Sequence, residues 1–109
     1  MSDDPISFWQ SDGIAWARPS GDCCHLNATP VKVFVKEMVR RGYRDVVVDL
    51  DDCTGMDETF MGTLVGAALL LRKLERGPLR VVHCPPELDT QFRDLGLNQL
   101  FDIVSNEIA

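Results

Sequence analysis

Apolar and polar positions along this chain follow two periods, and each change of period marks a boundary between elements. Residues 6–10 (ISFWQ) and 14–18 (IAWAR) read as two short strands around Ser11-Asp12-Gly13, whose Asp-Gly pair is a hairpin signal. Residues 19–22 then end this excursion into a sheet. Over 29–41 the apolar residues Val31, Val35, Met38 and Val39 recur on one side of a helix. Asn27 or Thr29 can cap it, Pro30 suits its first turn, Gly42 closes it, and Lys36, Arg40 and Arg41 complement its C-terminal dipole. Residues 45–50 (DVVVDL) have the β-branched run of a strand buried on both faces, and 51–57 (DDCTGMD) have turn chemistry.

A long helix follows from about Thr59, with Met61, Leu64, Val65, Ala68, Leu71 and Leu74 on one face, and Gly77-Pro78 terminates it. Residues 79–83 (LRVVH) are the next strand. Residues 87–95 form a short helix that Gly96 ends, and 97–103 supply one turn and a final short strand. The predicted architecture is a single α/β domain over residues 1–109, with element order β-β-α-β-α-β-α-β. It contains a mixed sheet of four to five strands, with helices mainly on one face. The Leu69–Leu70–Leu71 run puts at least one leucine off the buried stripe, and Phe60, Thr63 and Ala67 share that flank. It reads either as a partner surface or as ground covered by the neighbouring helix. Gly62 and Gly66 form a GxxxG spacing that predicts close helix packing on the sheet.

Composition narrows the function classes. With 45% hydrophobic and 26% charged residues over 109 positions, the chain is an ordinary globular one. A net charge of −6 argues against a nucleic acid or an anionic membrane surface as direct partner. The opening residues 1–5 are acidic with no apolar stretch after them, so no signal peptide is expected and a cytoplasmic protein is. The longest uncharged run, 59–71, falls short of the roughly 20 apolar residues that a membrane span needs.

The candidate chemistry is sparse. Cys23, Cys24, Cys53 and Cys84 lack CxxC or zinc-like spacing and read as reduced structural or surface thiols, so no metal or other cofactor is expected. Trp9 and Trp16 read as packing over a sheet face or edge. Asp49, Asp51, Asp52 and Asp57 gather near one strand end, which suggests a Mg²⁺ site or, instead, a solvated acidic rim. His83 and Cys84 end a strand without a readable nucleophile arrangement, and no catalytic residue is assigned.

Taken in order, Val46-Val47-Val48-Asp49-Leu50, Asp57-Glu58-Thr59, Gly62, Leu64, residues 79–83 and Gly96-Leu97-Asn98-Gln99-Leu100-Phe101 resemble the STAS domain of anti-sigma factor antagonists. The resemblance implies a non-enzymatic switch. In similar proteins the second hydroxyl-bearing position after the Asp is phosphorylated by a partner serine/threonine kinase that is itself an anti-sigma factor. This maps onto Thr59. The unphosphorylated form binds that kinase and frees the sigma factor, with Asp57, Glu58, Thr59, Phe60 and Thr63 as the expected partner-binding set. A homodimer is compatible with the pattern. The family's common Asp-Ser-Ser-Gly is here Asp57-Glu58-Thr59-Phe60, so a fixed charge stands beside the acceptor, and an aromatic, expected to face the partner, replaces Gly. The alternative is a phosphorylation-independent binding module of the same fold, in a multiprotein complex or a lipid transport system.

Overall fold

The computed structural model describes residues 6–104; the acidic opening, 1–5, lies outside them. Strands β1 (Ile6–Ser11) and β2 (Ile14–Pro19) form the hairpin, turning through Asp12 and Gly13 in left-handed conformations. The chain continues as β3 (Gly21–Cys23), α1 (His25–Arg40), β4 (Asp45–Asp49), β5 (Cys53–Met56), α2 (Glu58–Lys73), β6 (Leu79–Val82) and α3 (Pro86–Asp94). A 3₁₀ turn (Leu97–Gln99) and β7 (Phe101–Ile103) complete it.

The main sheet has the order β1-β2-β4-β6-β7, antiparallel only between β1 and β2. Strand alternation and this register put Ala15, Val46, Leu79 and Phe101 on one face, in a single row. That face carries the core. Val31, Val35 and Met38 of α1, Phe60, Leu64 and Leu71 of α2, and Leu88 and Phe92 of α3 pack on it, and Phe92 meets Phe101 edge-to-face at 5.5 Å. The opposite face aligns Trp9, Trp16, Val47, Arg80 and Asp102. There the two indoles stack at 5.7 Å, as expected for packing on a sheet face, and Arg80 pairs with Asp102 at 3.3 Å.

Two expectations are corrected. A second sheet, β3 beside β5 and parallel, occupies residues that read as the end of a sheet excursion and as a turn. Both strands are only three or four residues long, too short to carry a period. Helix α1 also begins at His25, so Pro30 lies inside it rather than in its first turn. The extra turn is held by its surroundings. Asn27 Oδ1 accepts the Cys24 N–H at 2.8 Å, Asn27 Nδ2 donates to the Asp22 carbonyl at 3.2 Å, and Asp57 Oδ2 accepts the His25 N–H at 3.0 Å.

Candidate functional site

The two-stranded sheet decides where the helices start. β3 runs into α1 and β5 into α2, and because the two strands are parallel neighbours, both helices begin side by side. Each start exposes N–H groups without intrahelical partners and the positive end of a helix dipole. One carboxylate serves both. Asp57 is the N-cap of α2, where its Oδ1 accepts the Phe60 N–H at 2.8 Å and its Oδ2 takes the His25 N–H of α1. Its own N–H donates to the Cys23 carbonyl at 2.9 Å. The bond from Phe60, then those from His25, hold the Asp57 carboxyl below the ordinary aspartate value.

Glu58 and Thr59 follow as the first two residues of α2, and both are exposed. Thr63 donates to the Thr59 carbonyl at 3.2 Å, one turn along the helix, and Thr59 itself is exposed in the first turn. Phe60 is different. Its ring is wholly buried in the core, so the expected presentation of an aromatic to a partner is not what the fold provides. A Gly-to-Phe change at this position therefore alters packing under the helix rather than the surface over it.

Thr59 and Thr63 stand on the wall of a groove of about 570 Å³ between α1 and α2. Val35, Ala67, Leu69 and Leu70 give it an apolar lining, and among the described residues Lys32, Lys36 and Lys73 supply its charges. Gly62 and Gly66 are exposed along it, with no atom within 4 Å of where a Cβ would stand. The predicted close packing at this GxxxG is thus corrected: the glycines keep the groove open rather than seat the helix on the sheet. Of the leucine run, Leu69 is exposed and Leu71 buried, as the periodicity required. Sequence reasoning missed the three lysines. Only the packing of α1 beside α2 brings Lys73 into one groove with Lys32 and Lys36, and no spacing in the chain announces that.

The acidic residues near β4 are each engaged. Asp49 accepts the Asp51 N–H and lies 3.0 Å from His83 Nδ1, while Asp51 and Asp52 pair with Arg18 at 3.3 and 3.1 Å. Among the described residues no group of three or more His, Cys, Asp or Glu side chains converges as metal ligands would. No helix among them is long and apolar enough to cross a membrane.

The model of the STAS domain family matches residues 6–108. Among curated proteins none matches the sequence. Solved structures share the fold at low identity. One is the crystal structure of a provisionally described anti-sigma factor antagonist from Thermotoga maritima, with 17% identity, a TM-score of 0.81, and coverage of 93% of this chain and 86% of that one. A second is the Bacillus cell fate determinant SpoIIAA in its phosphorylated form, with 14% identity, a TM-score of 0.74, and coverage of 93% and 92%. The anti-sigma factor antagonist SpoIIAA in its unphosphorylated form gives 12% identity and a TM-score of 0.70, covering 87% of this chain and 96% of that one.

Proposed function

This chain belongs to the STAS domain family, and on that premise we propose that it is a non-enzymatic protein-binding switch of the anti-sigma factor antagonist type, set by phosphorylation of Thr59. The observation that carries the reading is the position of Thr59, exposed in the first turn of α2 and on the wall of an apolar groove edged by lysines. The partner is an anti-sigma factor that is also a serine/threonine kinase, and the unphosphorylated chain binds it and releases a sigma factor. The whole of residues 1–109 acts as one such domain, in the cytoplasm and without a cofactor.

The physical case rests on where the charge would arrive. A phosphate adds about −1.5 to −2 charges at neutral pH. At a helix N-terminus the dipole tolerates that charge, so the fold persists. The groove does not stay the same. Lys32, Lys36 and Lys73 would be drawn toward the new anion, and a partner surface fitted to a neutral hydroxyl would meet bulk and negative charge reinforced by Glu58.

The test is affinity capture from cells that make the protein, with wild type, Thr59→Ala and Thr59→Glu as baits, alongside phosphopeptide mass spectrometry over residues 45–72. A kinase-type anti-sigma factor captured by wild type and Thr59→Ala but not Thr59→Glu, with condition-dependent phosphate on Thr59, is the expected result. Equal capture by all three baits and no phosphate on a well-covered segment would overturn it. The second reading, a constitutive STAS binding module, draws on Glu58, whose fixed charge beside the acceptor departs from the hydroxyl found there in similar proteins.

A further inference from the structure

The fold brings together two thiols that lie 30 residues apart in the chain. Cys23 closes β3 and Cys53 opens β5, and their Sγ atoms are 3.1 Å apart in the interior. Both are reduced. The Cys53 thiol also reaches the Gly55 carbonyl at 3.1 Å and the Cys23 thiol the Gly21 carbonyl at 3.9 Å, and either sulfur can donate to the other. A disulfide bond is about 2.04 Å long, so closure asks the sulfurs to approach by about 1 Å, between adjacent strands of one small sheet.

Both are buried, Cys53 slightly less so at 6% exposed. Cys23 is fully buried, whereas Cys53 lines a surface cleft of about 110 Å³ together with Pro85, Glu87, Leu88 and Gln91. That cleft has room for a peroxide-sized molecule, since one water occupies about 30 Å³. From this juxtaposition we infer that Cys23 and Cys53 are a modification site: a dithiol that hydrogen peroxide, or a comparable two-electron oxidant, converts reversibly to an intrachain disulfide.

The chemistry assigns each sulfur a part. The hydrogen bond from Cys23 lowers the Cys53 thiol and favours its thiolate, while the same contact with Cys53 and burial push the Cys23 thiol up, so Cys53 is the attacking sulfur. Cys53 thiolate attacks one peroxide oxygen, the O–O bond breaks, and Cys53 sulfenic acid and hydroxide result. Cys23 then attacks the sulfenic sulfur. Its proton and the S–OH oxygen leave as water, and the S–S bond forms. In sum, two thiols and one peroxide give one disulfide and two waters. Cys84 is a poor competitor, because burial raises its thiol to about 12.

The bond would close beside the site described above, because the Cys23 carbonyl holds the Asp57 N–H at the start of α2. It does not depend on phosphorylation of Thr59. Disulfides in reducing compartments are transient and commonly redox-sensing, which suits a pair that is open at rest.

The experiment treats the reduced full-length protein with hydrogen peroxide, then reads intact mass and a non-reducing peptide map. Loss of two hydrogens, a Cys23–Cys53 cross-link that persists in Cys24→Ser, and full reversal by dithiothreitol are expected. Cys53→Ser should lose the cross-link, and Cys23→Ser should instead accumulate a Cys53 sulfenic acid that dimedone traps. Oxidation confined to Cys24 or Cys84 in the wild-type protein, a Cys53–Cys84 link, or unchanged Cys23 and Cys53 thiols would each overturn the inference.

Discussion

Asp57 holds the His25 N–H at 3.0 Å across 32 positions of sequence, with the oxygen that its own helix does not use. The first turns of α1 and α2 are thereby fastened to one carboxylate. Replacing Asp57 by Ala frees donors at both helix starts and is expected to lower the melting temperature by several degrees, more than the loss of a cap serving one helix. Asn, which keeps an acceptor for one of them, should fall between. Calorimetry of the two variants checks the order, and Asp57→Asn melting with the wild type would show that the bond to α1 carries no weight.

The same carboxylate makes stability depend on pH in a stated direction. Asp57 and Glu37 both have folded values below their ordinary ones, Glu37 at about 2 because Arg40 and Arg41 hydrogen-bond it. A depressed folded value means that the contribution is complete above the unfolded value of about 4 and is lost as pH falls through the folded one. The protein should therefore lose stability as pH drops from about 4 toward 2. Asp57→Asn should show a shallower acid limb in melting temperature against pH, because one of the two titrations is gone.

Gly66 lies mid-helix, exposed, with open space where a Cβ would go. Gly66→Ala should stabilise the protein by about 0.5–1 kcal/mol, because Ala loses less backbone entropy in a helix. Gly66→Leu should fold as well, yet fill the groove and weaken partner binding by roughly tenfold or more, the equivalent of about 1.4 kcal/mol. Urea denaturation and titration against the captured partner separate the two effects.

Phe60 tests the interior rather than the surface. Phe60→Ala should cost about 3–5 kcal/mol, as expected for a fully buried ring, and a cost below about 1 kcal/mol would return that ring to the surface.

Gly77 has ordinary backbone angles but little room. A Cβ there would stand 2.5 Å from Asp45 Oδ1 and 3.2 Å from the Arg44 carbonyl. The Asp45 side chain can swing away; the carbonyl accepts the Gly77 N–H at 2.9 Å and cannot move freely. Gly77→Ala is therefore expected to destabilise by about 1–3 kcal/mol, read by denaturant titration.

Much of this molecule is written in local pattern. The valine run at 46–48 and the helical spacing of Leu64, Ala68 and Leu71 each reflect one element meeting one core, so period alone finds them. Gly96 adopts the left-handed conformation that ends α3, and Asp57 is the cap its position suggests. The start of α1 falls earlier than its periodicity predicts because its extra turn is stabilised by Asp57, far away in sequence. The burial of Phe60 is not legible locally, because an aromatic in a first turn can face either way and the neighbouring core decides which.

The sequence by itself determined the strands of the main sheet, the order of elements, the family and the position of Thr59 at a strand-to-helix handover. All of these follow from residue type at short range. The tertiary structure alone decided that β3 lies against β5, that one carboxylate serves two helices, that three lysines edge one groove, and that Cys23 meets Cys53. Those relationships join residues tens of positions apart, and their energies depend on distance in space, which no period along the chain encodes.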